Sequence, residues 1–244
     1  MKLGKIFLSL LLLSSPCRAD NLTFAVSTSS AMPMTEFHHE KLAGGLLKDF
    51  GDALAHEMGL APRYRSLPRK RVEAALGNGS ADLLCDLRPE WLERKEWRWS
   101  ESVFTNNMII ASRSDTAPLA HLAQLSGQRI GTILGYHYPE VEAALGTSRF
   151  QRDDAASDDL NTGKLLSERF SYMMSNSLYY DYQRKVHPAG KRLNPAVLTV
   201  RAFDTYCALP AGGRIGVAQV NRAILAIRRR GEMDQIYARY QPTH

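Results

Sequence analysis

Charged and polar residues gather at the ends of apolar runs in this chain, where side chains can meet a ligand. Asp86-Leu-Arg88 closes one such run. It offers a hydrogen-bond acceptor beside a fork of donors. The two side chains either pair with each other or engage a polar ligand together. Arg69-Lys70-Arg71 opens a helical stretch. It reads as a solvated basic turn, as most charge runs do. Arg94 stands four residues after Glu90, the spacing of an ion pair on a helix surface. Free of that pair, its planar guanidinium would match two carboxylate oxygens.

Three loops complete the set. Ser27-Thr28-Ser29-Ser30 follows the first strand of the mature chain, with Ser29 at its centre. In open α/β sheets, ligands sit outside the carboxyl ends of the strands. Gly135-Tyr136-His137-Tyr138-Pro139 joins a strand to a helix. Backbone N–H groups and the helix dipole make such a junction an anion site. Tyr136 and His137 can also stack on a flat ligand. Ser175-Asn176-Ser177 is another exit loop, and Asn176 is neutral. A lone histidine is weak ground for a catalytic base. No P-loop, zinc spacing or nucleophile elbow is present, so the sequence calls for no cofactor and no metal.

The chain has 244 residues. Residues 1–19 read as a cleaved signal peptide. Lys2 and Lys5 precede the apolar run Ile6 to Leu13, and Cys17-Arg18-Ala19 is a small-x-small cleavage site. The run is too short to span a bilayer. Pro16 argues against lipid attachment at Cys17. Soluble release after Ala19 is the expectation. Removing the three basic residues of this segment from the total of 31 leaves 28, against 25 acidic residues. That balance is too mild to argue for nucleic acid. Cys85 and Cys207 remain, a pair that either bonds, as exported proteins allow, or is buried reduced.

Apolar periodicity places the elements. Leu46, Leu47, Phe50, Leu54 and Met58 recur at helical spacing before Gly59. Leu60 to Leu67 reads as a strand, Pro68 opens a second helix, and Ala81 to Leu84 is a strand buried on both faces. Strand and helix alternate as in a parallel α/β layer. Further strands are expected at Leu22–Val26, Met108–Ser112, Arg129–Leu134 and Phe170–Met174. Further helices are expected at Leu119–Gln124, Glu140–Leu145, Leu160–Glu168, from Leu178, at Val217–Arg230 and at Met233–Tyr240. Asp153 to Asp159 reads as an acidic linker.

Four pieces stand in order: Gly45 with Asp49, Gly79 to Asp82, Glu93-Arg94 twelve residues after Asp82, and Trp99-Ser100-Glu101. With the closing pattern Gly231, Ile236 and Tyr240, they resemble the bacterial extracellular solute-binding proteins of family 3, the binding components of polar amino-acid transporters. The resemblance implies a two-lobed α/β periplasmic-binding-protein (Venus-flytrap, type II) fold with two hinge strands. It implies one lobe from residues 20–112 plus 204–244 and another from 113–203. Cys85 and Cys207 would share a lobe.

The resemblance also implies a function and a site. The chain would bind a small polar, carboxylate-bearing solute as a monomer, for an inner-membrane ABC transporter permease or a membrane sensor. Arg94 would hold the carboxylate with Arg71 near the cleft, although the stretch from Arg94 to Trp99 is one residue shorter than in the family. The family's ammonium-binding Asp is replaced by Asn176. This argues against an ordinary α-amino acid unless Asp86 supplies the charge. Two other readings stay open. One is an enzyme resembling cyclohexadienyl dehydratases, with Glu168, His137 or Asp86 as acid. The other is a degenerate member with a protein partner.

Overall fold

The computed structural model describes residues 20–146 and 149–240. The signal peptide expected at 1–19 lies outside them. The first half of the chain builds β1 (Asn21–Ser27), a hairpin of β2 (Glu36–His38) and β3 (Lys41–Gly44), α1 (Leu46–Glu57), β4 (Ala61–Leu67), α2 (Arg69–Gly77), β5 (Leu83–Leu87), β6 (Arg98–Trp99) and β7 (Phe104–Ser112). Then come β8 (Arg129–Ile133), α3 (Pro139–Leu145), β9 (Gln151–Ala155), α4 (Asp158–Leu166), β10 (Tyr172–Asn176), α5 (Ser177–Val186), β11 (Leu198–Leu209), α6 (Val217–Arg229) and α7 (Glu232–Tyr240).

One sheet runs β4-β1-β5-β11-β7-β10-β8-β9, with β6 also paired to β11. β1 is parallel to β4 and β5 at one end, and β8 is parallel to β9 and β10 at the other. β11 and β7 are antiparallel to their neighbours and join the two halves. Alternate residues of a strand point to opposite faces, and here both faces are buried. Leu22, Phe24 and Val26 enter one core with α1, α6 and α7, while Ala25 enters another with α2. In the second half, Met108, Ile110 and Met174 face α3, whereas Ile109, Ala111 and Met173 face α4 and α5. Each half-sheet is thus a layer between helices.

Two strands pass between these cores. β7 begins at Phe104 in the first and carries Met108 and Ile110 into the second. β11 returns from Phe203 in the second to Cys207 and Leu209 in the first. Cys85 on β5 and Cys207 on β11 form a disulfide within the first core, closing 122 residues of sequence.

The sequence motifs hold the first half together. Gly45 has φ 101°, and a Cβ there would fall 2.4 Å from the Met34 carbonyl oxygen, so only glycine fits. Its N–H donates to Tyr240 Oη at 3.1 Å, and Arg239 meets Asp49 at 2.8 Å. The Asp82 carboxylate accepts the Thr23 N–H at 2.8 Å and pairs with Arg214. Ser100 Oγ accepts the Cys207 N–H at 2.9 Å.

Three stretches differ from the sequence reading. The expected linker from Asp153 contains the edge strand β9, parallel to β8. Its charges are partnered: Asp153 with Lys164 at 2.7 Å and Asp154 with Thr132 at 2.6 Å. Edge strands tolerate charge because one side faces solvent. The helix expected at Leu119–Gln124 is a single 3₁₀ turn at Leu122–Leu125. Glu90 and Arg94 share no helix, because a 3₁₀ turn covers only Pro89–Trp91.

Candidate functional site

The carboxyl ends of β1, β5, β8 and β10 converge on a cavity between the two half-sheets. Its volume is about 110 Å³. At roughly 30 Å³ per water in the liquid, that is room for about four waters or a small solute. Most of the lining is apolar, from residues such as Met34, Leu47, Met108, Met174 and Phe203. The few charged groups therefore dominate its electrostatics.

Asp86 reaches the cavity through a fault in the sheet. Leu84 pairs with Ala208 and Leu87 with Tyr206, so three steps on β5 oppose two on β11. Asp86 is the extra residue, with φ 61°. Bulges of this kind re-aim a side chain. Burial pushes its carboxyl up to about 6, against the opposing effects of a Thr205 hydrogen bond and the Arg69 charge.

Asp158 comes from the other half. Ser157 caps α4, accepting the Leu160 N–H at 3.2 Å, which sets Asp158 as the first helical residue. Asp158 is 7% exposed and lines the cavity. Its N–H donates across the cleft to the Ser29 carbonyl at 3.0 Å. Burial, then the charges of Asp159 and Asp86, push its carboxyl up to about 7.

Arg69 is the cavity's guanidinium. Its Nη2 donates to the Trp91 carbonyl at 3.1 Å, and its plane lies 5.6 Å from the Tyr136 ring centroid. Tyr136 titrates well above the usual tyrosine range, mainly through burial. Gly135 brings the two halves close. A Cβ there would lie 3.2 Å from Lys70 Cγ and 3.3 Å from Arg69 Cγ, and its φ is 80°. Three buried polar atoms on lining residues lack a hydrogen-bond partner: Thr35 Oγ1, Trp91 Nε1 and Ser175 Oγ. Unpaired buried groups cost free energy unless a ligand or water meets them.

Of the residues singled out from sequence, Asp86, Tyr136, His137 and Asn176 line the cavity. Asn176 has a local task as well. Its Oδ1 caps α5 through the Tyr179 N–H at 3.0 Å and accepts Asn106 Nδ2 at 2.9 Å. Ser29 is buried and contributes its carbonyl to Asp158. The three remaining arginines are elsewhere. Arg71 is exposed, on the outer face of α2. Arg88 turns from the cavity to Glu90 and to Glu140 at 3.5 Å, over the rings of Trp91 and Phe203. Arg94 is exposed and paired with Glu96. Its N–H donates to Glu73 at 2.9 Å, and its guanidinium lies 4.8 Å from the Trp97 centroid.

Sequence reasoning passed over Arg69 and Asp158. Arg69 had a legible signal, because it shares helical phase with Val72 and Leu76 on the buried face of α2. Arg71 is out of that phase. Asp158 sat in a stretch read as linker, so its helix start went unseen.

A sheet bridged by two long strands, with a largely apolar cavity carrying a few charges at converging strand ends, defines a two-lobed ligand-binding protein. The chain belongs to the bacterial extracellular solute-binding proteins, family 3, whose model matches residues 23–243. Its fold is similar to that of an ABC uptake transporter substrate-binding protein from Streptococcus pneumoniae with bound histidine. That likeness has TM-score 0.76 and 16% identity, over 90% of this chain and 92% of the other. An ancestral amino-acid-binding protein, a precursor of cyclohexadienyl dehydratase, matches with TM-score 0.76 and 17% identity, over 90% and 95%. The arginine-, lysine-, histidine-binding protein ArtJ from Geobacillus stearothermophilus matches with TM-score 0.75 and 16% identity, over 91% and 95%. No curated protein matches the sequence.

Proposed function

We propose that this chain captures a small polar, amino-acid-like solute in the cavity between its lobes. The observation that carries this reading is the set of opposite charges lining one cavity from both halves: Arg69 and Asp86 from the first, Asp158 from the second. Arg69 takes the carboxylate role expected of Arg94, and Asp86 supplies the negative charge that Asn176 lacks. The names of the similar structures, which include a histidine complex and an arginine-, lysine-, histidine-binding protein, support an amino-acid-like ligand.

Closure would be a hinge motion about β7 and β11, between lobes formed by residues 20–112 plus 204–244 and 113–203. The pairing of β11 supports that division: Leu198 to Thr205 pair with β7, and Tyr206 onward with β5 and β6. The protein works in the periplasm as a monomer and hands its solute to a membrane transporter or sensor. The dehydratase-like reading keeps one of its three candidate acids inside the cavity, Asp86. Glu168 is exposed beside Arg192, and His137 is exposed at the cavity's edge.

The test is a thermal-shift screen of refolded residues 20–244 against amino acids, dicarboxylates, amines and aromatic acids. A ligand at one hundred times its dissociation constant adds about 2.7 kcal/mol. Arg69→Ala should abolish the shift from a carboxylate-bearing hit, and Arg94→Ala should leave it. The reverse pattern would refute the assignment of Arg69.

A further inference from the structure

The charges facing the cavity do not balance. Among the described residues, Asp86 and Asp158 are its two carboxylates, Arg69 its one permanent cation, and His137 its one imidazole. With both carboxyls ionised and the imidazole neutral, the lining carries one net negative charge. A zwitterionic solute would leave that charge in a largely apolar enclosure, where an uncompensated ion is costly. A solute of net charge +1 would neutralise it.

The carboxylates differ in what they already hold. Asp86 lies in the field of Arg69 and accepts from Thr205. The Asp158 carboxylate has no hydrogen-bond or ion-pair partner among the described residues, although the residue is 7% exposed. A second observation marks the same enclosure as built for donors and acceptors of a ligand. The Thr35 hydroxyl, on a residue 1% exposed, faces the cavity unpaired, and so does that of Ser175. Both can accept an N–H. Arg69 is committed to the Trp91 carbonyl and the Tyr136 ring, which leaves it room for one carboxylate at most.

We infer that the captured solute is a net cation, and that Asp86 and Asp158, one from each half of the sheet, hold its protonated amine or guanidinium. This deepens the proposed capture function and rests on it. The cation would bridge the halves, so that binding and closure are one event. It would also drive off protons. Burial holds the Asp158 carboxyl near 7, and its neighbours in the cavity are Asp86, Asp159, Arg69, Tyr136, Tyr138 and the His137 ring. Asp159 is already tied to Tyr179 and Gln183 at 3.0 and 3.1 Å. An incoming cation favours the ionised form of both cavity carboxyls.

Isothermal titration of refolded residues 20–244 tests this with five probes: arginine, lysine and cadaverine as cations, glutamine as a zwitterion, and glutamate as an anion. At least one cation should bind, and glutamine and glutamate should bind at least tenfold more weakly. In buffers of different ionisation heat at pH 7, binding should release roughly half a proton, because a group of pKa about 7 is half protonated there. Asp158→Asn should weaken the cation about 10- to 100-fold and remove most of the proton release. Asp86→Asn is the second variant, read in the same way. Glutamine or glutamate binding as tightly as the cations would overturn the inference while leaving solute capture intact. So would cation affinity unchanged in both variants. Silence from all five probes, with no hit in the wider solute screen, would overturn capture and this inference together.

Discussion

A buried carboxylate kept for a ligand should weaken the empty protein, and Asp158→Asn measures that cost. The Asp158 carboxyl is raised from 3.8 to about 7. At about 1.4 kcal/mol for each tenfold change in proton affinity, this corresponds to about 4 kcal/mol of penalty on the ionised form. The folded state holds its proton more tightly than the unfolded chain. Its contribution is therefore complete below pH 3.8 and is lost as pH rises through about 7. Asparagine cannot ionise and escapes the loss. It forfeits the favourable position of an anion at a helix N-terminus, worth about 0.3–1 kcal/mol. The variant should thus be more stable than the parent by about 3 kcal/mol at pH 8, or about 6–12 °C in Tm for a chain of this size. The advantage should shrink to less than about 1 kcal/mol at pH 4. Urea titrations and thermal melts of refolded, ligand-free protein at the two pH values make the comparison. A variant less stable than the parent at pH 8, or an advantage as large at pH 4, would refute the reasoning. The parent's Asp158 would then be satisfied without a ligand.

Three other outcomes are expected. Replacing Cys85 and Cys207 together by alanine frees a loop of 122 residues. It should cost up to about 5 kcal/mol on the chain-entropy model, read as a fall in urea midpoint that a reductant reproduces in the parent. Gly135→Ala sets a methyl against Arg69 and Lys70 across the cleft at a φ of 80°. It should destabilise the empty protein by about 1 kcal/mol yet weaken ligand binding about tenfold or more, as titration of any hit from the solute screen would show. Glu140 accepts Arg201 at 2.9 Å and faces the buried Arg88 at 3.5 Å. Glu140→Gln should cost about 2 kcal/mol by stranding part of that charge, and a double-mutant cycle with Arg88→Met should recover most of it.

Local signals were legible in the chain because local physics made them. The helices α1 and α6 followed from apolar spacing, since one stripe of each must be buried, and α7 from the closing pattern of Gly231, Ile236 and Tyr240. Pro139 opened α3 as read, because its missing N–H is unpaired there anyway. The anchors Gly45, Asp82, Ser100 and Tyr240 have structural partners in the first half, which explains why they stand at recognisable spacings. Asp86 was legible as a charge at a strand end, but its bulge was not, because the bulge belongs to the pairing of β5 with β11. The strand β9 was hidden because an edge strand can carry the same acidic residues as a linker.

By itself, then, the sequence determined most element types and the charges at strand ends, which follow from periodicities, caps and turn residues that act within a few positions of one another. The two-lobed architecture was legible only through the resemblance of its motifs to the family. Only the tertiary structure decided which charges face the cavity. Arg69 took the place expected of Arg71 and Arg94, and Asp158 joined Asp86 from across the cleft. The disulfide was likewise settled there, when β11 brought Cys207 beside Cys85. Those outcomes depend on helix phase against a distant core, on strand register, and on the approach of two halves far apart in sequence. No local pattern encodes the field that a charge meets after the chain has closed around it.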